Sequence, residues 1–507
     1  MSPELRKTLA FVVAAVLLTG AAVVRMPDRS GANAAFNDQG QPFFPDFKDP
    51  LTCTDLEVVE YDGSTARARP FKVMFGDGKW VIPSHNNYPA DAKDRLAKTA
   101  AAVIDLTKDT IRSDRPEDHE TLGVVEPDPV DTRASLKGRG KRVTLRDKSG
   151  RVLADFIIGN EVRERPGQRY VRVPGQKRTY GVNVKADLST RFSDWIETNL
   201  LKLDASHVRS VTFNNHKVDP EQGRIVPGEV LTIDRKDGAA PWALIGGVPA
   251  GQEVNAEKVT GMTTALSDLK IVGVRPKPEA LSRELKIEAS NAVKPKSKTE
   301  LQSLVNRGFY PTNDGIYSNQ GEVVIKTDEG AAYSLRFGEV VFATGESLEA
   351  GGKDEGTSKD LSKKVEGTTE SRFLLVTVAF DPALLPVPEK PREELVIPDD
   401  PFQKAPDDPK RIAEEKAVKE KADREKADRD KQIAEAEKKV KDLSDRFAGW
   451  YYVTPGDNFR AIALDRATLV RPKSERPAPA DGPPPGGMPN FNLPGGMPNF
   501  HGGPPRP

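Results

Sequence analysis

The chain has 507 residues, enough for about two to four domains of ordinary size, each with its own core. Hydrophobic residues make up 37% and charged residues 30%, the mixture expected of globular units joined by solvated segments. The 76 basic and 76 acidic residues cancel, which removes the net positive field that would draw the chain to nucleic acid.

At the N-terminus, Arg6 and Lys7 precede an uncharged apolar run from Thr8 to Val24. About 17 residues at 1.5 Å each reach roughly 26 Å, the short limit for a bilayer core. The run is either a signal peptide or an uncleaved signal anchor. Arg25, Asp28 and Arg29 separate it from the Ala-Asn-Ala triplet that would serve as a cleavage site, which favours a single transmembrane helix over 1–27. The flanking Arg6 and Lys7 would hold its start in the cytoplasm and place the rest of the chain outside the membrane. The one cysteine, Cys53, lies too far along to carry a lipid and reads as a plain buried thiol.

After a linker over 28–50, alternation in "DLEVVEYDG" gives a strand, "RPFKVMFGDGKWVIP" two strands about an Asp-Gly turn, and "YPADAKDRLAKTAAAVIDLTKD" a helix. In that helix Leu96, Ala100, Val103 and Thr107 share a face, and Asp91 or its neighbour can cap the start. The same order returns from Val208: "VRSVTFNN", then "EVLTIDRKDGAAPWALI", then a helix carrying Val259, Met262, Leu266 and Leu269. Trp80 and Trp242 stand at equivalent points, about 160 residues apart, a spacing that suits a duplicated domain.

Each copy continues with hairpins. In the first they are "KRVTLRDKSGRVLADFIIGN" and "RYVRVPGQKRTYGVNV", closed by a helix over "ADLSTRFSDWIETNLL" with Leu188, Phe192, Trp195 and Asn199 on one side. In the second they are "GEVVIKTDEGAAYSLRFGEV" and "SRFLLVTVAFDP", whose partner strand is missing at that point. It reappears as "GWYYVTPGDNFRAIALDRATLV", so that Phe380 and Tyr451 are expected on neighbouring strands. The fold class expected is α+β: two tandem repeats of antiparallel sheet with flanking helices, at 51–205 and 206–472. The second repeat contains a mobile loop at 343–371 and a Pro-rich, then charged helical, insertion at 383–447.

From about Asp407 to Phe447 the insertion is rich in Ala, Glu and Lys and free of helix breakers. Lys419, Lys426 and Arg429 interrupt its coiled-coil seam, leaving a solvated single helix or a partner-binding arm. The Pro/Gly-rich tail over 473–507 cannot bury enough apolar surface to offset its ordering entropy.

Catalytic, cofactor-binding and metal constellations are not found: there is no zinc helix, nucleophile elbow or paired-cysteine motif. His85, His119, His207, His216 and His501 are scattered, and His207 and His216 flank a strand at opposite ends. Asp114, Glu117, Asp118, His119 and Glu120 lie beside Arg112 and Arg115 and read as a solvated loop. Trp80 and Trp242 read as core. A hydrolase would require two carboxylates and a histidine converging in one pocket.

The strand "KWVIP", the helix after "YPAD", the "LGVVEPD" segment, and then "FIIGN", "RYVRV" and "TYGV" resemble an uncharacterised domain-of-unknown-function family. Bacteria often encode that family beside an ABC-type transporter whose partners resemble gliding-motility components. The resemblance covers about Leu51 to Val470, without the charged insertion, and carries over no catalytic residue. It implies a non-enzymatic, membrane-anchored extracytoplasmic (periplasmic) accessory or scaffold protein of an envelope transport complex. Such a protein has the membrane and transporter or other envelope subunits as partners, and no cofactor. The alternative is an envelope binding module for polysaccharide or peptide, which would expose Trp80, Trp195 or Trp242 in a groove.

Overall fold

The computed structural model describes residues 38–63, 66–127, 136–219, 222, 224–287, 295–351, 370–386 and 409–473. The expected anchor at 1–27, the start of the linker, the Pro-rich stretch at 387–408 and the tail from 474 lie outside the described residues. Among the described residues no helix is long and apolar enough to cross a membrane. The fold is mixed, with mostly antiparallel sheets and several helices.

The first sheet contains β1 (Cys53–Asp62), β2 (Arg67–Gly76), β3 (Lys79–Ile82), β4 (Tyr88–Pro89), β5 (Thr110–Ser113), β6 (Lys141–Asp147), β7 (Val152–Glu161), β8 (Gln168–Arg172) and β9 (Thr179–Asn183). Their spatial order is β4-β3-β2-β1-β6-β7-β8-β9-β5. Alternation fixes the register: Leu56 pairs with Val73 and Leu145, and Val58 with Phe71 and Val143, all six buried on one face. Helix α1 (Lys93–Ile104) adds Leu96, Ala100 and Val103 to the same core. The β2–β3 turn is made by Asp77 and Gly78, both at positive φ (51° and 76°), the geometry that matches the twist of a tight hairpin. A one-turn helix, α2 (His119–Leu122), follows β5.

The second sheet is ordered β14-β13-β10-β19-β20-β21-β22-β16. Its strands are β10 (Val208–Asn214), β13 (Val230–Asp234), β14 (Ala243–Leu244), β16 (Gly273–Pro276), β19 (Glu322–Thr327), β20 (Ala331–Val341), β21 (Ser371–Phe380) and β22 (Trp450–Pro455). Two-stranded ribbons β11 (Lys217–Asp219) with β12 (Arg224–Val226), β15 (Gln252–Val254) with β23 (Val470–Pro472), and β17 (Phe309–Pro311) with β18 (Ile316–Ser318) lie outside it. With edge strand β4 set aside, the two strand orders correspond one for one. Trp80 precedes buried Ile82 by two residues, as Trp242 precedes buried Leu244.

Helix α3 (Ala256–Ser267) presents Val259, Met262 and Leu266 to the core and is capped by the Asn255 side chain. Further along come α4 (Glu279–Ile287), α5 (Lys298–Val305), α6 (Glu346–Glu349), the long α7 (Pro409–Ala448), α8 (Gly456–Ile462) and α9 (Arg466–Leu469). Leu281, Leu304, Phe309, Phe373, Leu375 and Tyr451 form a second apolar cluster on the opposite side of β20–β22, so β21 is buried on both faces. Strand β22 pairs with β21, Leu374 opposite Tyr452, so Phe380 and Tyr451 are on neighbouring strands as the repeat requires.

Several local expectations need correction. The stretch "ADLSTRFSDWIETNLL" is not a helix; only Phe192–Trp195 form a 3₁₀ turn. Its polar side chains take backbone groups for themselves: Asp187 accepts from the Ser189 amide, and the Ser189 hydroxyl from the Arg191 amide. Phe192 and Trp195 are nonetheless buried, and the indole donates to the Ser189 carbonyl at 2.9 Å. Helix α1 begins at Lys93 with Ala92 before it and no side-chain cap, so Asp91 does not play that part. Thr107 lies beyond the helix, bridged to Pro42. Within the loop expected at 343–371, residues Glu346–Glu349 are helical, and 352–369 lie outside the described residues.

Candidate functional site

The long helix runs 40 residues, about 60 Å. Every side chain from Lys416 to Asp428 is exposed. Among its described side chains, the ion pairs within the helix are Lys421–Glu425 and Lys431–Glu435, both long at 3.9 Å and with lysine N-terminal to glutamate, the weaker orientation. Helix propensity therefore maintains the outer half, and tertiary packing the inner half. Ile433, Ala436, Val440, Leu443 and Phe447 turn toward the body, the last three almost fully buried. Arg429 donates to the Pro386 carbonyl, Lys439 pairs with Glu329, and Arg446 donates to the Glu197 and Asn199 carbonyls. Both sheets' surroundings thus hold the root of the arm.

The helix stops at Ala448 and enters β22 after Gly449 alone. Its final carbonyls are satisfied by side chains: Tyr452 donates to the Arg446 carbonyl and Lys277 Nζ to the Phe447 carbonyl, both at 2.9 Å. Lys277 is buried and lies over the Tyr451 ring at 5.3 Å. Burial lowers its ammonium from the usual range to about 7. The unfolded chain therefore binds this proton up to the ordinary lysine range and the folded chain only to about 7, so stability rises with pH above neutrality. Each pH unit contributes at most about 1.4 kcal/mol, and the carbonyl end of the helix offsets part of that. We expect the urea midpoint to rise between pH 7 and 9 and Lys277→Met to flatten the rise; an unchanged slope in the variant would exclude Lys277 as its source.

A cleft of about 340 Å³ beside this root has Tyr88 and Trp450 as aromatic wall, in edge contact at 4.9 Å. Asp91, Glu197, Asp442 and Asp445 line it together with Lys202 and Arg446. It continues along the helix through Lys202, Asp442 and Arg446 into a groove bounded by Glu435 and Leu443.

Two other clefts gather histidine and carboxylates, the condition set for a hydrolase. In one, of about 370 Å³, His207 Nδ1 lies 2.8 Å from Asp328, near Glu329 and Glu435. Arg209 also pairs with Asp328, so that carboxylate is already neutralised. In the other, of about 230 Å³, His85 meets Glu60, Glu346 and Glu349. Its partners are Glu349 at 3.1 Å and the adjacent Ser84 hydroxyl at 3.0 Å. Adjacent Ser and His were visible in "SHNN", but Glu349 is 264 residues away and had no sequence signal.

The remaining residues weighed from sequence are placed as follows. Trp195 is fully buried, with Arg95 over its ring, and Trp80 and Trp242 are half-buried against the core. Asp114 pairs with Arg178, Asp118 accepts from Ser113, and His119 bonds the Lys177 carbonyl. His207 and His216 sit at opposite ends of β10. Cys53 is buried, and burial pushes its thiol up to about 11, far from a reactive thiolate.

Residues 80–286 match the family model of a domain of unknown function, DUF4340. The DUF4340 stretch starts on β3 and ends in α4, so it takes strands from both sheets and stops well before the long helix. No curated protein and no solved structure matches the chain.

Proposed function

We propose that this is a membrane-anchored extracytoplasmic accessory or scaffold subunit of an ABC-type, gliding-motility-like envelope transport complex, built on two copies of one α+β unit. One observation carries the reading: a long charged helix projects from a body that grips its inner half through apolar, ion-pair and backbone contacts. A solvated helix needs no such root unless its outer half must be held in a defined direction. The apolar N-terminal run and the family resemblance supply the membrane and the transporter. The role is one of binding, and the buried state of Trp195 speaks against an aromatic sugar platform at that residue.

The test is cross-linking in intact cells followed by gentle solubilisation, comparing the full chain with a variant lacking 409–428, where no described side chain touches the body. Recovery of transporter subunits that vanish with the deletion supports the arm as docking element. Recovery of the same partners without it, or of cell-wall material alone, refutes the proposal.

A further inference from the structure

Ser84, His85 and Glu349 form a hydrogen-bonded chain at the wall of an open cleft. The imidazole is 3% exposed and stacks flat on Phe192, with centroids 4.5 Å apart and planes 1° from parallel, so its orientation is fixed by packing. Glu349 accepts from one ring nitrogen, Nε2, when the proton resides there. That tautomer leaves the Nδ1 lone pair facing the Ser84 hydroxyl at 3.0 Å. A carboxylate that orients an imidazole, and an imidazole that accepts from a hydroxyl, is the arrangement that makes serine nucleophilic. The two ring nitrogens exchange roles relative to the serine-protease arrangement, which leaves the proton chemistry unchanged.

The backbone supports the same constellation. Asn86 and Asn87, immediately after His85, both adopt left-handed φ (56° and 60°), a conformation that asparagine tolerates better than other residues with a side chain. Asn86 is held there by its donation to the Ala350 carbonyl, next to Glu349. Thus the turn bearing Ser84 and the segment bearing Glu349 are clamped twice, across 264 residues. Arg69 and Arg191 line the cleft, paired with Asp62 and Asp194, beside Glu60 and Glu346, while Pro70 and Phe71 give it an apolar wall. The His207 cleft is clamped too, by the Asp328 amide on the His207 carbonyl and by Arg209 on Asp328, but among the described residues no hydroxyl is bonded to its imidazole.

We propose that Ser84 is an acyl-transfer nucleophile, with His85 as its general base and Glu349 as the residue that positions the imidazole. The volume of about 230 Å³ suits a short-chain carboxylic ester. The Ser84 oxygen bonds to the acyl carbon as its proton passes to His85 Nδ1. The bond from that carbon to the leaving oxygen then breaks, and the departing alcohol takes the proton. Water adds by the same route, giving the carboxylic acid and free Ser84. This activity goes beyond the scaffold role and rests on a different part of the molecule.

The test treats the full-length protein in its membrane or in detergent with a fluorophosphonate probe, maps the labelled peptide by mass spectrometry, and follows p-nitrophenyl acetate hydrolysis in parallel. The expected result is a label on Ser84, lost in Ser84→Ala together with hydrolysis. Glu349→Gln should lower the labelling rate by about 10²-fold or more with an unchanged melting temperature. Absence of label on Ser84 in the wild type, or hydrolysis by Ser84→Ala at the wild-type rate, overturns the proposal. The Ser84→Ala protein should cross-link to partners as the wild type does, which separates this activity from the scaffold role.

Discussion

Phe447→Ala should destabilise the protein by roughly 3–5 kcal/mol, the cost of emptying a large aromatic site in a packed core. The side chain is 1% exposed, meets Tyr452 edge-on and joins Val440 and Leu443 in the cluster that fixes the arm. Val418→Ala is the matched control: Val418 is 68% exposed in the free part of the same helix, so its truncation should stay within about 0.5 kcal/mol. Urea unfolding of both variants checks this. If the two shifted alike, the inner half of the helix would be no better anchored than the outer half, and the argument for a directed arm would fall.

Glu322→Ala should cost a comparable amount, about 3–5 kcal/mol, for an electrostatic reason. Arg336 sits in the middle of β20, 1% exposed, and points away from the core face occupied by Tyr333, Leu335 and Phe337. Glu322 is directly opposite in register and supplies the countercharge, while Thr377 accepts from the guanidinium at 3.3 Å. Burial lowers the Arg336 pKa, with the Glu322 charge opposing that shift. Removing the carboxylate leaves a desolvated cation, whereas the double change Arg336→Met with Glu322→Gln removes the charge as well and should recover most of the loss. Unfolding free energies of the single and double variants decide it; equal losses in both would mean the pair contributes through shape alone.

The sheets were legible in the sequence because alternation is a local signal. Leu56 and Val58, then Val211 and Phe213, announce an inward face without reference to any partner. The recurrence of Trp80 at Trp242 aligned the strand orders, and the aromatic run at Tyr451 exposed an insertion. What failed was also local: in 185–200 the spacing of Phe192 and Trp195 mimics a helical face, but Ser and Asp hydrogen bonds to the backbone prevail over it. The site was illegible for a different reason. His85 draws its meaning from Glu349 and Phe192, and the arm's root from Lys277 and Glu197, all of them distant in sequence and chosen by packing.

The direct junction of the long helix with β22 gives the molecule the mechanics of a lever. About 30 Å of stiff rod, from residue 409 to 428, extends beyond a gripped segment of similar length. Only Gly449 separates that segment from β22, which is hydrogen-bonded between β21 and β16. A sideways push at the tip is not absorbed by a flexible tether; it becomes torque on the sheet, with the Val440–Phe447 contacts as fulcrum. A load at the tip would therefore do mechanical work on the body, and strain in the body would swing the tip.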